Sequence, residues 1–385
     1  MKVCSLGLFI ALIFGAACLP AQPGEGLRLP ALAYLRLHGK DPQAYLIETF
    51  RKYDVILLGE DHHVRQNLLF VQGLIPALYA AGVYAIGMEF GASEDQAALD
   101  SLVTAPEYDE VQARRIMFHY NVAWAFREYM DVYRAAWTFN RSLPPHSRPF
   151  RILNLSYAYN WEGFDGRRSP ENMATVFYKG TADQYRAELI GREILDKREK
   201  LLALVGTPHA YTRYAQPEFR YNNDNFCAYD DNWLGNRLFR KYPGRIFNAL
   251  LHQPFPNRIN HMPYLVSPAG GAIEALMARM GNRPLGFDLL DTPAGALRDT
   301  SYFSMGYPDF RLAQFFDGYI FLAPFAALQS CTIDENFVDE SNIETALRQA
   351  PDPDWHGRQH SLAEFRQLIR DMADIEKRYA TIGLK

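Results

Sequence analysis

Cysteine is scarce in this chain of 385 residues: there are four, and none has the Cys-x-x-Cys or zinc-finger spacing of a redox pair or metal knuckle. Cys4 and Cys18 fall in or at the end of an N-terminal apolar segment. That leaves Cys227 and Cys331 for the folded body, where a disulfide and two buried thiols both remain open. An excess of charge of one sign is also lacking. The 40 basic and 44 acidic side chains nearly cancel, and the absence of a dense Lys/Arg run excludes the electrostatic footprint of a nucleic-acid binder. The apolar stretch from Leu6 to Ala17 is too short to span a bilayer. No internal repeat or low-complexity segment stands out.

What is present is material for a large core, because 48% of residues are hydrophobic and only 22% charged. One large domain, or two at most, is expected. Met1-Lys2-Val3, the apolar stretch and the small residues before Pro20 read as an export signal over residues 1–18. Gly15-Ala16-Ala17-Cys18 looks like a bacterial lipobox, so two forms are expected: a plain secreted protein, or one held at the membrane through a lipid on Cys18 alone. Either form belongs to the periplasm or cell envelope.

Seven short apolar runs read as buried strands: Val55 to Leu58, Tyr84 to Met88, Arg151 to Leu155, Leu201 to Val205, Arg245 to Leu251, Leu285 to Leu290 and Tyr319 to Leu322. Segments of helical period lie between them, notably Asn67 to Ala81, Ala125 to Asn140 and Ala182 to Lys200. Such alternation predicts an α/β fold with a mostly parallel central sheet over residues 27–330. Residues 91–149 are too many for a simple crossover and predict a helical insertion capping one end of the sheet. Residues 331–385 form a polar C-terminal extension, in which Ser361 to Glu364 is a capping box opening a final amphipathic helix.

The residues with chemical potential sit where strands stop. Val55 to Leu58 runs into Gly59-Glu60-Asp61-His62-His63, and Leu201 to Val205 runs into Gly206-Thr207-Pro208-His209. Glu89 ends the strand Tyr84 to Met88, and Asn154 and Ser156 are polar positions at the end of Arg151 to Leu155. If these strands are parallel, the groups share one rim, the carboxyl edge where open α/β sheets bind ligands. Spacing alone is weak: 26 glycines and 10 histidines give roughly one Gly-x-x-His by chance. Gly357 to His360 is such a decoy, following Pro and Asp residues instead of a strand. The competing structural readings are a helix-capping histidine at 62 or 63, a carbonyl-bonded His209, and Glu60 as a first-turn carboxylate. Glu89 has fewer such readings, since an unpaired carboxylate between Met88 and Phe90 would be costly to bury.

Taken in order, Leu58-Gly59-Glu60-Asp61-His62, Gly87-Met88-Glu89-Phe90 and Val205-Gly206-Thr207-Pro208-His209-Ala210 resemble the superfamily joining erythromycin esterases, ChaN-like haem-binding lipoproteins and the Tiki/TraB proteins. The likeness spans about residues 50 to 325. It takes in Trp124 and the pair Arg192-Glu193, which is similar to an Arg-Asp pair of that superfamily. The resemblance implies that Glu60, His62, Glu89, His209 and Arg192 carry catalysis and that His62, Glu89 and His209 hold a divalent metal. Thr207-Pro208 departs from the esterases and points away from macrolide esterase activity. Two functions follow. One is a hydrolase acting on a small molecule or peptide, through metal-bound water or through a histidine base. The other is a haem- or iron-binding lipoprotein, with Tyr211, Tyr214 and Tyr221 as nearby ligand types.

Overall fold

The seven apolar runs pair into one sheet because each is apolar enough to be buried on both faces and too short for a helix. The computed structural model describes residues 25–164, 166–219, 227–258, 264–350 and 359–383. The expected signal at 1–18 with Cys18, and also Tyr221 and Gly357, lies outside the described residues. The strands are β1 (Val55–Glu60), β2 (Ala85–Ala92), β3 (Arg151–Ser156), β4 (Leu201–Gly206), β5 (Ile246–Leu251), β6 (Leu285–Asp288) and β7 (Gly318–Phe321). Their spatial order is β6-β7-β5-β1-β4-β2-β3. Every pairing is parallel except β6 with β7 at one edge.

Alternation along each strand divides the interior into two layers. Ile56 and Leu58 of β1, with Leu202 and Leu204 of β4, face one core; Val55 and Leu57, with Leu201, Ala203 and Val205, face the other. The first layer is covered by the helix Arg65–Ala80 and by three helices from the predicted insertion, Gln96–Leu102, Glu110–Tyr120 and Arg127–Ser142. The insertion is therefore mainly a layer on a face of the sheet, not a cap over its end. Only the turn through Trp124 and Phe126, with Tyr129, comes beside His62 and His63.

The capping signal at Ser361 is used in part, because the Glu364 side chain turns to the residue before the cap and not to the cap's own N–H. Ser361 Oγ accepts from the Glu364 N–H, and the Glu364 carboxylate accepts from the His360 N–H. The helix that follows, Leu362–Ala373, buries Phe365, Ile369 and Ala373 in the first core layer, so this part of the C-terminal extension is joined to the main body. Cys331 is a free, buried thiol. No helix among the described residues is long and apolar enough to cross a membrane.

Candidate functional site

Strand order assembles the site. β4 lies between β1 and β2, so the turns after β1 and β4 and the end of β2 are neighbours at one carboxyl edge. Gly206 makes the approach possible: a Cβ there would lie 2.8 Å from His62 Nε2 and 3.4 Å from Glu89 Oε2. Larger side chains would drive the two groups apart.

The first half of the site is a carboxylate–histidine pair. Glu60 is 2% exposed, and its Oε1 accepts from His62 Nδ1 at 3.1 Å and from the Tyr129 hydroxyl at 2.7 Å. A carboxylate can only accept, so the bond places the neutral ring's proton on Nδ1 and leaves Nε2 as the basic atom. Burial raises the Glu60 pKa against the opposing pull of His62 and Tyr129. For His62 burial works downward, but the hydrogen bond and charge of Glu60 outweigh it and the pKa is raised. His62 is partly exposed and packs edge-on against Phe90 and Trp124. With Glu60, Asp61, Thr207, Pro208 and Gln253 it lines a cleft of about 310 Å³. Thr207 is tied in from both sides, its hydroxyl donating to the Glu60 carbonyl and accepting from Gln253.

The second half is a closed ionic network. Glu89 accepts the Gly206 N–H at 2.6 Å and pairs with His209 Nε2 at 3.1 Å and Arg186 at 3.2 Å. His209 Nδ1 meets Asp183 at 2.7 Å. Arg186, 2% exposed, donates Nε to Ser156 Oγ, while Tyr120 and Tyr159 lie 3.3 and 3.5 Å from its Nη2. Burial alone would raise Glu89, yet the charges of His209 and Arg186 hold it well below the usual carboxylate range. Burial alone would lower His209, but Glu89 and Asp183 push it up to about 9. His209 is thus an imidazolium at neutral pH.

That state predicts a pH dependence of stability. A histidine whose folded pKa is raised stabilises the fold fully below its unfolded value of about 6.5 and loses that stabilisation as pH rises toward 9, on the order of 3 kcal/mol for a shift of this size. Thermal unfolding between pH 6 and 9.5 should show wild type losing stability relative to His209→Gln across this window. Parallel curves would refute the imidazolium assignment.

The placements correct several sequence expectations. Glu60, His62, Glu89 and His209 do meet at one rim, while His360 is exposed at the start of the helix Leu362–Ala373. Arg192 is outside the site, exposed and paired with its neighbour Glu193. The arginine and acid that do reach it are Arg186 and Asp183, half of the same helical segment earlier. Their signal was legible: two opposite charges one turn apart on the helix Ala182–Ile190, behind the capping Thr181. Tyr129 carried no such sign, because its role depends on a helix 69 positions from Glu60.

The expected metal set of His62, Glu89 and His209 is not assembled. Among the described residues no group of three or more His, Cys, Asp or Glu side chains is arranged to hold a metal ion. The donors are already committed: both ring nitrogens of His209 face carboxylates, and Glu89 faces a guanidinium whose charge would repel a cation. Nor do Tyr211 and Tyr214 offer haem ligands, since both are fully buried among Phe303, Phe315 and each other. His63, a candidate helix cap on the sequence, does not cap the helix Arg65–Ala80 but sits buried between Trp124 and Phe126, with its pKa held well below the ordinary value by burial.

No protein-family profile and no curated protein matches the chain. Solved structures do. A succinoglycan biosynthesis protein is 10% identical over 81% of this chain and 100% of its own, with a TM-score of 0.49. A protein from Bacillus cereus is 9% identical over 80% and 99%, at 0.46. ChaN of Campylobacter jejuni, a structure of cofacial heme binding, is 14% identical over 54% and 85%, at 0.35. Likenesses this distant carry no argument about function.

Proposed function

We propose that the chain is an exported hydrolase in which His62 acts as general base toward water, oriented by Glu60, on a neutral ester or amide bound in the adjoining cleft. The observation that carries this reading is the Glu60–His62 pair. A buried carboxylate fixes Nδ1–H, and Nε2 belongs to a ring that lines the cleft. Pro254, Pro256, Leu265 and Phe303 also line the cleft and suit an apolar acyl or side-chain group. The Glu89–His209–Arg186–Asp183 network lies behind the cleft and is joined to it through Gly206, whose N–H Glu89 accepts. Its charges balance, so it can be buried without attracting a cation. The motif order shared with the esterase and Tiki proteins agrees with a hydrolytic role but leaves the substrate open.

The test is a panel of short-chain p-nitrophenyl esters and peptide p-nitroanilides offered to the purified, signal-free protein with and without EDTA. Turnover that survives EDTA and rises with pH through the His62 titration supports the reading. Turnover abolished by EDTA and restored by a divalent metal, or no turnover on any member, rejects it.

A second reading, haem binding, has one observation of its own. A cavity of about 1050 Å³ is lined by Phe118, Tyr159, Trp161 and Tyr178, with Arg115 and His119 among them. Asp95 binds His119 Nδ1 at 2.6 Å and leaves Nε2 available, as a carboxylate does for a histidine that holds a metal. There His119 would hold the iron and Arg115 would meet a propionate. A Soret band that develops on adding haem and is lost in His119→Ala would favour this reading; an unchanged spectrum would discard it.

A further inference from the structure

Asp61 stands between Glu60 and His62, and neither the sequence nor the proposed chemistry gives it a task. In the structure its Oδ2 accepts from Arg378 Nη2 at 2.7 Å and from the Tyr379 hydroxyl at 2.6 Å. Arg378 Nη2 also reaches the His62 carbonyl at 3.3 Å. Both donors end a short helix, Ile375–Tyr379, more than 300 positions away in sequence.

That helix is anchored independently of Asp61. Asp374 caps it, Glu376 accepts both the N–H and the hydroxyl of Ser330, and Ile375 and Tyr379 pack with Val64 and Leu328. Val64 in turn bridges Ser330, and Cys331 donates its N–H to the His63 carbonyl. The turn from Asp61 to Val64 is therefore gripped along its length by residues of the C-terminal part of the chain. It needs such restraint, because His63 has φ +70, a left-handed conformation costly for a residue with a Cβ. Arg378 also lines the cleft beside His62, and its Nε is buried with no acceptor among the described residues.

We propose that Arg378 and Tyr379 are positioning residues for His62: by clamping Asp61 they fix the turn that presents the ring, and Arg378 offsets the Asp61 charge beside it. This rests on the reading of His62 as the base. The charges facing that ring are Glu60 and Glu89 from the strand ends, Asp61 from its own turn, and Arg378 from the C-terminal helix. Removing the guanidinium leaves Asp61 without its counter-ion, so His62 should bind its proton more tightly. A purely structural loss would not produce that change.

Four versions of the intact chain decide the matter: wild type, Arg378→Met, Arg378→Lys and Tyr379→Phe. Each is followed by histidine-ring NMR titration and by ester hydrolysis. The expected result for Arg378→Met is an upward-moved His62 titration and a fall in kcat of about 100-fold at constant KM, the size associated with displacement of a reacting group by about 1 Å. Arg378→Lys should restore the titration, because it restores the charge. Tyr379→Phe should lower kcat by roughly 10-fold with little change in titration, the loss of one charge-assisted hydrogen bond. If Arg378→Met does not fold, Arg378→Lys and Tyr379→Phe carry the test. An unmoved titration together with wild-type kcat in every folded variant overturns the proposal. If wild type hydrolyses nothing while the His62 titration still moves, the clamp stands and only the hydrolase reading falls.

Discussion

His62→Gln is expected to lower kcat on the best ester of the panel by about 10²- to 10⁴-fold while leaving KM within a few-fold, the usual contribution of a positioned general base. This equals roughly 3–5 kcal/mol of transition-state stabilisation. Glutamine keeps the approximate volume and can still donate to Glu60, so the cleft should retain its shape while the basic nitrogen is gone. The ring is partly exposed, and its removal should change the melting temperature little. Turnover versus pH gives the second check. Because Glu60 raises the His62 pKa, wild-type activity should appear only as pH rises through a value above that of a free imidazole. A variant that retains both the rate and the pH profile would remove His62 from the chemistry.

The second large effect is on stability. Arg186→Met should destabilise the protein by about 3–5 kcal/mol, because it leaves the buried Glu89 carboxylate without its guanidinium and Ser156 without its donor. The matched control is Arg192→Met, an exposed arginine on the same segment, which should stay within about 0.5 kcal/mol of wild type. Denaturant unfolding of both variants, together with Arg186→Met/Glu89→Gln, checks the account. The double variant should recover part of the loss, since it no longer buries an uncompensated charge. Equal stability of the two single variants would show that the ionic network contributes nothing to the fold.

Sequence and structure divide cleanly over which arginine matters. Periodicity identified the helical segment from Ala182, and the spacing of Asp183 and Arg186 was legible in it, but Arg192 has an acidic neighbour too and spacing alone does not say which arginine faces the sheet. Only the packing of Ala182–Ile190 beside β3 turns Arg186 inward to Ser156 and Glu89, while the following turn leaves Arg192 in solvent. A similar gap separates the expected metal site from the observed ion pairs. The residues His62, Glu89 and His209 were legible because each follows an apolar run, although β2 continues past Glu89 to Ala92. Whether a histidine coordinates a metal or carries a proton depends on what faces its nitrogens, and Asp183 and Arg186 come from elsewhere in the chain.

The sequence by itself determined the seven strands, the α/β class and the strand ends where polarity appears abruptly. These follow from local patterns: a buried strand must be apolar over its own length, and a carboxylate or imidazole beside it needs a partner. Tertiary structure alone decided that β4 inserts between β1 and β2, that Tyr129 holds Glu60, and that Arg378 and Tyr379 hold Asp61. Those contacts join positions tens to hundreds of residues apart, whose meeting is set by how the layers pack around the sheet and leaves no periodic trace in the chain.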